Sequence, residues 1–312
     1  MNLQDQNVLI LGLGTSGLAM ARWCARQGAQ VTVADTRAQP PALTALQAEL
    51  PQARFIAGAL DASLLQGQDY AAVYKSPGLS PTQLAPVLEA IQEMNVRVGG
   101  ELDLFSEALA ALKDSQGYAP QVLAVTGTNG KTTVTALTGQ LVARAGKSVA
   151  VAGNIGPALL DTLSQHVDTA TLPEVWVLEL SSFQLDGVRG FEPAAGTVLN
   201  LTQDHLDWHG DMAAYAAAKA RVFGQGLMVL NRDDAAVMAM LRSPEPVPVV
   251  KGKAFRPAPL RQHVTFGADM PQRPGDFGLE DVNGMLWLVR ALEADETQKL
   301  KKGELLELHF QR

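Results

Sequence analysis

The stretch Val122-Leu-Ala-Val-Thr-Gly-Thr-Asn-Gly-Lys-Thr-Thr133 decides the fold, because an apolar strand runs into a glycine loop that opens a helix. Gly127 and Gly130 allow a tight turn in which backbone N–H groups point inward, and the helix adds the positive end of its dipole. Lys131 would reach the outer phosphates of a nucleotide, and the Thr132 hydroxyl would bind Mg²⁺. A valine stands where the strict G-x-x-x-x-G-K-[ST] pattern has its first glycine. An ordinary strand-to-helix turn would not explain a lysine and two threonines here, so we interpret the stretch as a phosphate-binding loop.

Length and composition predict a two-domain protein of the cytoplasm. The 312 residues are 47% hydrophobic and 18% charged, as in ordinary globular proteins. A net charge of −7 argues against nucleic acid or an anionic membrane as the main partner. The single cysteine, Cys24, falls in a predicted helix and should pack in the core. With neither a basic leader nor a long apolar run, we expect no membrane insertion, a cytoplasmic location and a monomer.

A second glycine motif lies near the N-terminus. The predicted strand Asn7–Leu11 runs into Gly12-Leu-Gly-Thr-Ser-Gly17, and a second strand, Gln30–Ala34, ends at Asp35. This G-x-G-x-x-G unit is typical of a dinucleotide site, with the aspartate on a ribose hydroxyl. The same backbone accommodates any nucleotide diphosphate, and Asp35-Thr-Arg37 offers an acceptor, a hydroxyl and a cation. The glycines could also serve only close helix packing.

Strands and helices alternate along the chain, which predicts an α/β fold with mainly parallel sheets. A further strand, Ala71–Tyr74, leads to Ser76-Pro-Gly78, a turn at the edge of the sheet where ligands bind. The two glycines Gly99-Gly100 make the backbone flexible, and we place the domain boundary there. The prediction is a Rossmann-like domain of residues 1–100 and a P-loop-type domain of residues 101–312.

Candidate metal-binding and catalytic residues follow in the second domain. Glu179 ends the apolar strand Val175–Leu178, where a Mg²⁺ ligand is needed, although a solvated strand end is the alternative. His205 and His209 are four residues apart, but the glutamate and cysteines of zinc sites are missing, which argues against a zinc hydrolase. We expect a hydrogen-bonding role for His209.

Lys219 lies among small residues in the predicted helix Met212–Phe223. Close packing would desolvate its amine and lower its pKa, whereas a surface lysine is the alternative. Farther on, the predicted strands His263–Phe266 and Met285–Arg290 form a peripheral hairpin, and Glu304–Arg312 alternates like a strand without a partner.

Motifs from the whole chain add up to a resemblance. They are Gly12–Gly17, Asp35–Arg37, Ser76–Gly78, Gly100–Phe105, Thr126–Thr133, Gly153–Gly156, Glu179–Leu185, Asn200–His205 and Ala218-Lys219. In this order they resemble the ATP-dependent Mur ligases of peptidoglycan synthesis, most of all the members that add D-glutamate to UDP-N-acetylmuramoyl-L-alanine.

The resemblance implies a role for each motif. The first domain would hold the UDP end of the substrate instead of NAD, through Thr15, Ser16, Asp35, Thr36, Arg37, Ser76, Pro77 and Gly78. The central domain would be an ATPase domain, with ATP held by Thr128, Asn129, Gly130, Lys131, Thr132 and Thr133. Asn154, Ser181 and His205 would contact the muramoyl-alanine part.

The resemblance also implies two Mg²⁺ ions, one on Thr132 and Glu179 and one on His205 and a carbamylated Lys219. The catalytic residues that the resemblance implies are Lys131, Glu179, His205 and Lys219. Carbamylation turns a buried amine into a carboxylate that metals favour.

The implied reaction makes an amide from a carboxylate, a poor electrophile that ATP must first convert to an acyl phosphate. The amine of D-glutamate then attacks. The family's histidine–asparagine helix and third domain are absent from this sequence, so we expect substrate binding with little ligase activity. An NAD(P)-dependent oxidoreductase and a non-catalytic nucleotide-binding module are the alternatives.

Overall fold

A computed structural model describes residues 3–241, 261–294 and 308–312. The strands of its first sheet are β1 (Asn7–Leu11), β2 (Gln30–Asp35), β3 (Arg54–Ala57), β4 (Tyr70–Lys75) and β5 (Arg97–Gly99). All pair in parallel, in the order β3-β2-β1-β4-β5. The helices between them are α1 (Thr15–Arg26), α2 (Leu43–Glu49) and α3 (Pro81–Glu93). Because the chain adds strands outward from β1 on both sides, the loops after β1 and β4 border a crevice.

The second sheet carries the phosphate-binding loop and is also parallel. Its strands are β6 (Gln121–Thr126), β7 (Val149–Gly153), β8 (Val175–Glu179), β9 (Ala195–Val198), β10 (Leu227–Asn231) and β11 (His263–Phe266). They lie in the order β11-β10-β9-β6-β8-β7. The helices of this part are α4 (Glu101–Gln116), α5 (Lys131–Arg144), α6 (Leu159–Asp168), α7 (Ser182–Leu185), α8 (Leu206–His209), α9 (Met212–Ala220) and α10 (Ala235–Met238). The loops after β6, β8 and β9 therefore meet at one edge.

A small antiparallel sheet corrects two predictions. Its strands are β12 (Phe277–Val282), β13 (Met285–Glu293) and β14 (Leu308–Gln311). The predicted hairpin of β11 with β13 is wrong, because β11 extends the second sheet and β13 pairs with β12. The turn between β12 and β13 is Asn283-Gly284, and both residues have a positive φ, as such hairpins require. The predicted C-terminal strand does have a partner, β13, while its first residues, 304–307, lie outside the described part.

Three helices pack between the two large sheets. Helices α1, α4 and α6 contact one another, and Trp23, Leu104 and Leu160 belong to one buried cluster that joins both sheets. Arg22 bonds Asp161 at 2.8 Å across the same contact. Because such partly exposed ion pairs contribute little, the apolar contact sets the orientation of the sheets.

The predicted α/β fold with mainly parallel sheets is confirmed. The domain boundary at residue 100 stays a prediction, although β5 ends and α4 begins beside it. Cys24 lies buried within α1, as expected. Within the described ranges, no helix is both long and apolar enough to cross a bilayer. The monomeric state and the cytoplasmic location stay predictions.

Candidate functional site

The phosphate-binding loop connects β6 to α5. Gly130 caps the helix with φ 81°, a conformation that favours glycine. The Lys131 ammonium donates to the carbonyl oxygens of Gly127 and Thr128, at 3.0 Å each. The side chain therefore lies folded along the loop, within reach of any anion that the loop binds.

Asn200, in the loop that follows β9, clamps the phosphate-binding loop. Its side-chain oxygen accepts from the Asn129 N–H at 2.8 Å, and its amide donates to the Asn129 carbonyl at 3.1 Å. Its carbonyl accepts from the Thr128 N–H at 3.0 Å. The N–H groups of Thr128 and Asn129 thus already have acceptors within the protein. An anion would bind the N–H groups at the start of α5, from Lys131 to Thr133. We did not predict Asn200 as a site residue; its only signal was its place in a motif after a strand.

Glu179 lies at the end of β8 beside the loop, 1% exposed. It accepts from the Thr132 hydroxyl at 2.9 Å and from the Asn154 amide at 3.1 Å. Among the described residues no cation forms an ion pair with it. A buried carboxylate of this kind, joined to a hydroxyl, fits the oxygen ligands that Mg²⁺ prefers.

Lys219 is buried in α9 and points to the same loop. Its ammonium donates to the Gly127 carbonyl at 2.9 Å and lies 4.8 Å from the centre of the Tyr215 ring. Burial, and then the charge of Lys131, lower the pKa of Lys219 to about 7. The alternative of a surface lysine is therefore wrong, and much of the amine is neutral near pH 7.

His205 is exposed and stands at the start of α8 with a positive φ. Its ring lies 6.4 Å from the Tyr215 ring and 4.7 Å from the Phe183 ring. No hydrogen bond or ion pair joins His205 to Lys219. The structure places both predicted ligands of a second metal against Tyr215 without bringing them into contact.

Two residues beside this site have local partners. The Ser181 hydroxyl, a predicted substrate contact, accepts from the Gln184 N–H at 3.2 Å and caps α7. His209 bonds the Ser182 hydroxyl at 2.9 Å, which agrees with the hydrogen-bonding role expected for it. Burial lowers the pKa of His209.

The predicted UDP contacts meet in one cavity of about 470 Å³ at the carboxyl edge of the first sheet. It is lined by Gly12, Leu13, Gly14, Thr15, Ser16, Asp35, Thr36, Arg37, Ser76, Pro77, Gly78, Leu79 and Gln83. A side chain at Gly17 would meet the Gly12 carbonyl at 2.0 Å, so the glycine spacing serves the loop itself. The Ser76 hydroxyl donates to the same carbonyl at 2.9 Å.

Asp35 is engaged inside the protein. Its oxygens accept from the Leu13 N–H at 2.7 Å and from Arg37 through the backbone N–H and two guanidinium nitrogens, at 2.8 to 2.9 Å. The Arg37 guanidinium is the main reason that the pKa of Asp35 falls to about 2. Arg37, about half exposed, is therefore the group that Asp35 presents to the cavity.

Comparisons with known proteins show which family the chain resembles. Residues 125–254 match the family model described as Mur ligase middle domain, and residues 6–100 match Mur ligase MurD-like, N-terminal domain. The chain is 72% identical over 311 residues to UDP-N-acetylmuramoylalanine–D-glutamate ligase of Albidiferax ferrireducens, covering 99% of this chain and 60% of the relative. It is 51% identical to the ligase of that name from Polaromonas sp. strain JS666, covering 100% of this chain and 67% of the relative.

Among solved structures, a murein peptide ligase from Psychrobacter arcticus is 18% identical, with a TM-score of 0.44; the match covers 91% of this chain and 61% of that one. The chain spans about 60% of the length of the Albidiferax ferrireducens relative.

Asp35→Asn should lower the free energy of unfolding by about 2 kcal/mol at pH 7. The pKa of Asp35 falls from its ordinary 3.8 to about 2 in the folded chain. Its stabilisation is therefore complete above about pH 4 and is lost as the pH falls through 2. Urea unfolding of both proteins from pH 7 down to pH 2 measures this. A wild-type advantage that does not shrink between pH 4 and pH 2 would show that Asp35 is not the anchored carboxylate described.

Proposed function

We propose, from the premise that this chain belongs to the Mur ligase family, that it supplies two nucleotide sites of an ATP-dependent amide ligase of peptidoglycan synthesis. The reaction would join D-glutamate to UDP-N-acetylmuramoyl-L-alanine. The relatives cited above bear that activity in their name. Because the chain spans only part of the length of these relatives, we propose their activity and substrates for the protein to which it belongs.

The observation that carries the proposal is the buried Glu179 carboxylate, bonded to the Thr132 hydroxyl and lacking an ion pair with any described cation. A carboxylate and a hydroxyl at the end of a phosphate-binding loop are the protein ligands of the Mg²⁺ that accompanies ATP. When bound, this ion would offset negative charge on the transferring phosphoryl group. The oxidoreductase alternative gives Glu179 and Lys131 no role.

ATP would lie on the N-terminal turn of α5. The N–H groups of Lys131, Thr132 and Thr133 would hold its phosphates, and Lys131 would leave the loop carbonyls to reach the outer ones. Thr128 and Asn129 then shape the loop, since Asn200 uses their N–H groups. A second Mg²⁺ on His205 and a carbamylated Lys219 stays a prediction. The neutral fraction of a lysine with a pKa of about 7 is the form whose nitrogen attacks the carbon of CO₂ and then releases a proton to give the carbamate.

The uridine diphosphate would bind in the cavity of the first sheet. Arg37 offers it a cation, and the N–H groups at the start of α1 offer donors to the diphosphate. The acid end of the substrate would then extend toward Asn154 and Ser181 at the edge of the second sheet. There its carboxylate would attack the γ-phosphorus of ATP, releasing ADP and forming an acyl phosphate. The D-glutamate amine would displace phosphate from that carbonyl to give the amide.

Lys131→Ala should abolish ATP binding and leave the affinity for UDP-N-acetylmuramoyl-L-alanine unchanged, because the two ligands occupy separate loops. Calorimetric titration of each ligand measures this. Lys147→Ala, which removes an exposed lysine between α5 and β7 that pairs with Glu174, is the control and should keep both affinities. If wild-type protein binds NADH without competition from UDP and ignores the sugar nucleotide, the ligase proposal is wrong.

Asn200→Ala should weaken binding of Mg·ATP about tenfold, because the glycine loop loses two side-chain hydrogen bonds that shape it. Asn231→Ala is the matched control. The Asn231 amide donates to the Leu199 carbonyl at 2.9 Å, next to the clamp, but does not contact the glycine loop. Equal losses of ATP affinity in the two variants would mean that the clamp has no specific effect on the nucleotide.

A further inference from the structure

The turn after β10 holds the loop after β9, whose Asn200 clamps the phosphate-binding loop. This turn carries Asp234, a partly buried aspartate. The residue after Asn200, Leu201, donates its N–H to Asp234 Oδ2 at 2.7 Å. A hydrogen bond to a carboxylate is shorter and stronger than one between neutral groups. A bond between residues 33 positions apart thus ties together two loops at the carboxyl edge of the second sheet.

The peptide group between Asn200 and Leu201 is bonded at both ends. Its N–H donates to Asp234, and its carbonyl, that of Asn200, accepts from the Thr128 N–H at 3.0 Å. A peptide group is planar, so its N–H and C=O turn together. The carboxylate that orients the N–H therefore also orients the carbonyl that holds the phosphate-binding loop. Hydrogen bonds in such a series polarise and strengthen one another.

Asp234 uses its other oxygen to cap α10. Oδ1 accepts from the N–H groups of Ala236 and Val237, at 2.9 and 3.2 Å. One oxygen thus serves the helix and the other serves the loop after β9. The two contacts together require a side chain with two acceptor atoms, which a carboxylate has and an amide lacks.

The turn itself is anchored on its outer side. The Arg232 guanidinium donates to the Asp269 carboxylate at 2.6 Å and to the Phe277 carbonyl of β12. The small antiparallel sheet and the loop before it therefore hold the turn in place. Because the turn is fixed in this way, Asp234 presents its carboxylate to Leu201 from a fixed position.

We propose that Asp234 is a positioning residue for the nucleotide, which acts through the Asn200–Leu201 peptide group to hold the phosphate-binding loop in the shape that a triphosphate requires. This rests on the proposed function only in that the loop binds Mg·ATP. Asn231, whose amide bonds the Leu199 carbonyl, holds the preceding peptide group. No hydrogen bond among the described residues joins that group to residues 127–130, so Asn231 remains a control.

Asp234→Asn tests this, because it keeps one contact of the side chain and removes the other. Asparagine caps a helix as well as aspartate does, and its single acceptor oxygen meets two donors at α10 but one at Leu201. The oxygen should stay with α10 and leave the Leu201 N–H facing an amide nitrogen, which accepts no hydrogen bond. Calorimetric titration should then show Mg·ATP binding weakened about fivefold, with the affinity for UDP-N-acetylmuramoyl-L-alanine unchanged.

Asp233→Asn is the matched control. It removes the same charge one residue away, and Asp233 bonds the Ala268 N–H at 2.8 Å, not the loop after β9. Loss of a negative charge by itself favours an anionic ligand, so the ATP affinity of this variant should stay equal or rise slightly. The proposal is wrong if Asp234→Asn binds Mg·ATP no more weakly than Asp233→Asn. It is also wrong if Asp234→Asn loses as much affinity for the sugar nucleotide as for ATP.

Hydrogen exchange of the free protein is a second test, which needs no ligand. Asp234→Asn should speed exchange of the Thr128 amide relative to amides of the first sheet, which report any general loss of stability. Unchanged exchange at Thr128 would refute the link. So would unprotected exchange of that amide in the wild-type protein, even if Asp234→Asn fails to fold. If the wild-type protein does not bind Mg·ATP while exchange responds as expected, the proposed function fails and the hold of Asp234 on the loop stands.

Discussion

The apolar contact of α1, α4 and α6 sets the position of everything else, because it holds two parallel sheets in one orientation. A parallel sheet presents all its carboxyl ends, and hence its binding loops, at a single edge. Each sheet here carries a glycine loop at that edge. Whether two ligands can meet therefore depends on how the helices between the sheets are fixed.

Local electrostatics at the glycine loop of the second sheet favour the anions proposed to bind there, although the chain has a net charge of −7. Lys131 and Lys219 both donate to the Gly127 carbonyl, and the charge of Lys131 helps to lower the pKa of Lys219. Glu179, bonded to the neighbouring Thr132 hydroxyl, forms no ion pair in the described part of the chain. A bound triphosphate would supply the negative charge that Lys131 can pair with. Its metal ion would supply the positive charge that Glu179 can pair with.

Much of this could be predicted from sequence, because strand, glycine loop and helix are local signals. The phosphate-binding loop, the G-x-G-x-x-G loop and the parallel sheets are examples. The clamp by Asn200 joins residues about 70 positions apart, and no local pattern carries such a pairing. The wrong hairpin has a local cause: the Asn283-Gly284 turn is the sequence signal that pairs β13 with β12, and β11 lies on the other side of β12 in the chain.

We propose that two separate anion sites, one per sheet, face a common gap. A crystal structure with UDP-N-acetylmuramoyl-L-alanine and a non-hydrolysable Mg·ATP analogue tests it most directly. We expect uridine in the cavity beside Arg37, phosphates on the first turn of α5, and the substrate carboxylate directed at the γ-phosphate. Uridine bound anywhere but the first sheet, or phosphates away from Lys131, would contradict the account.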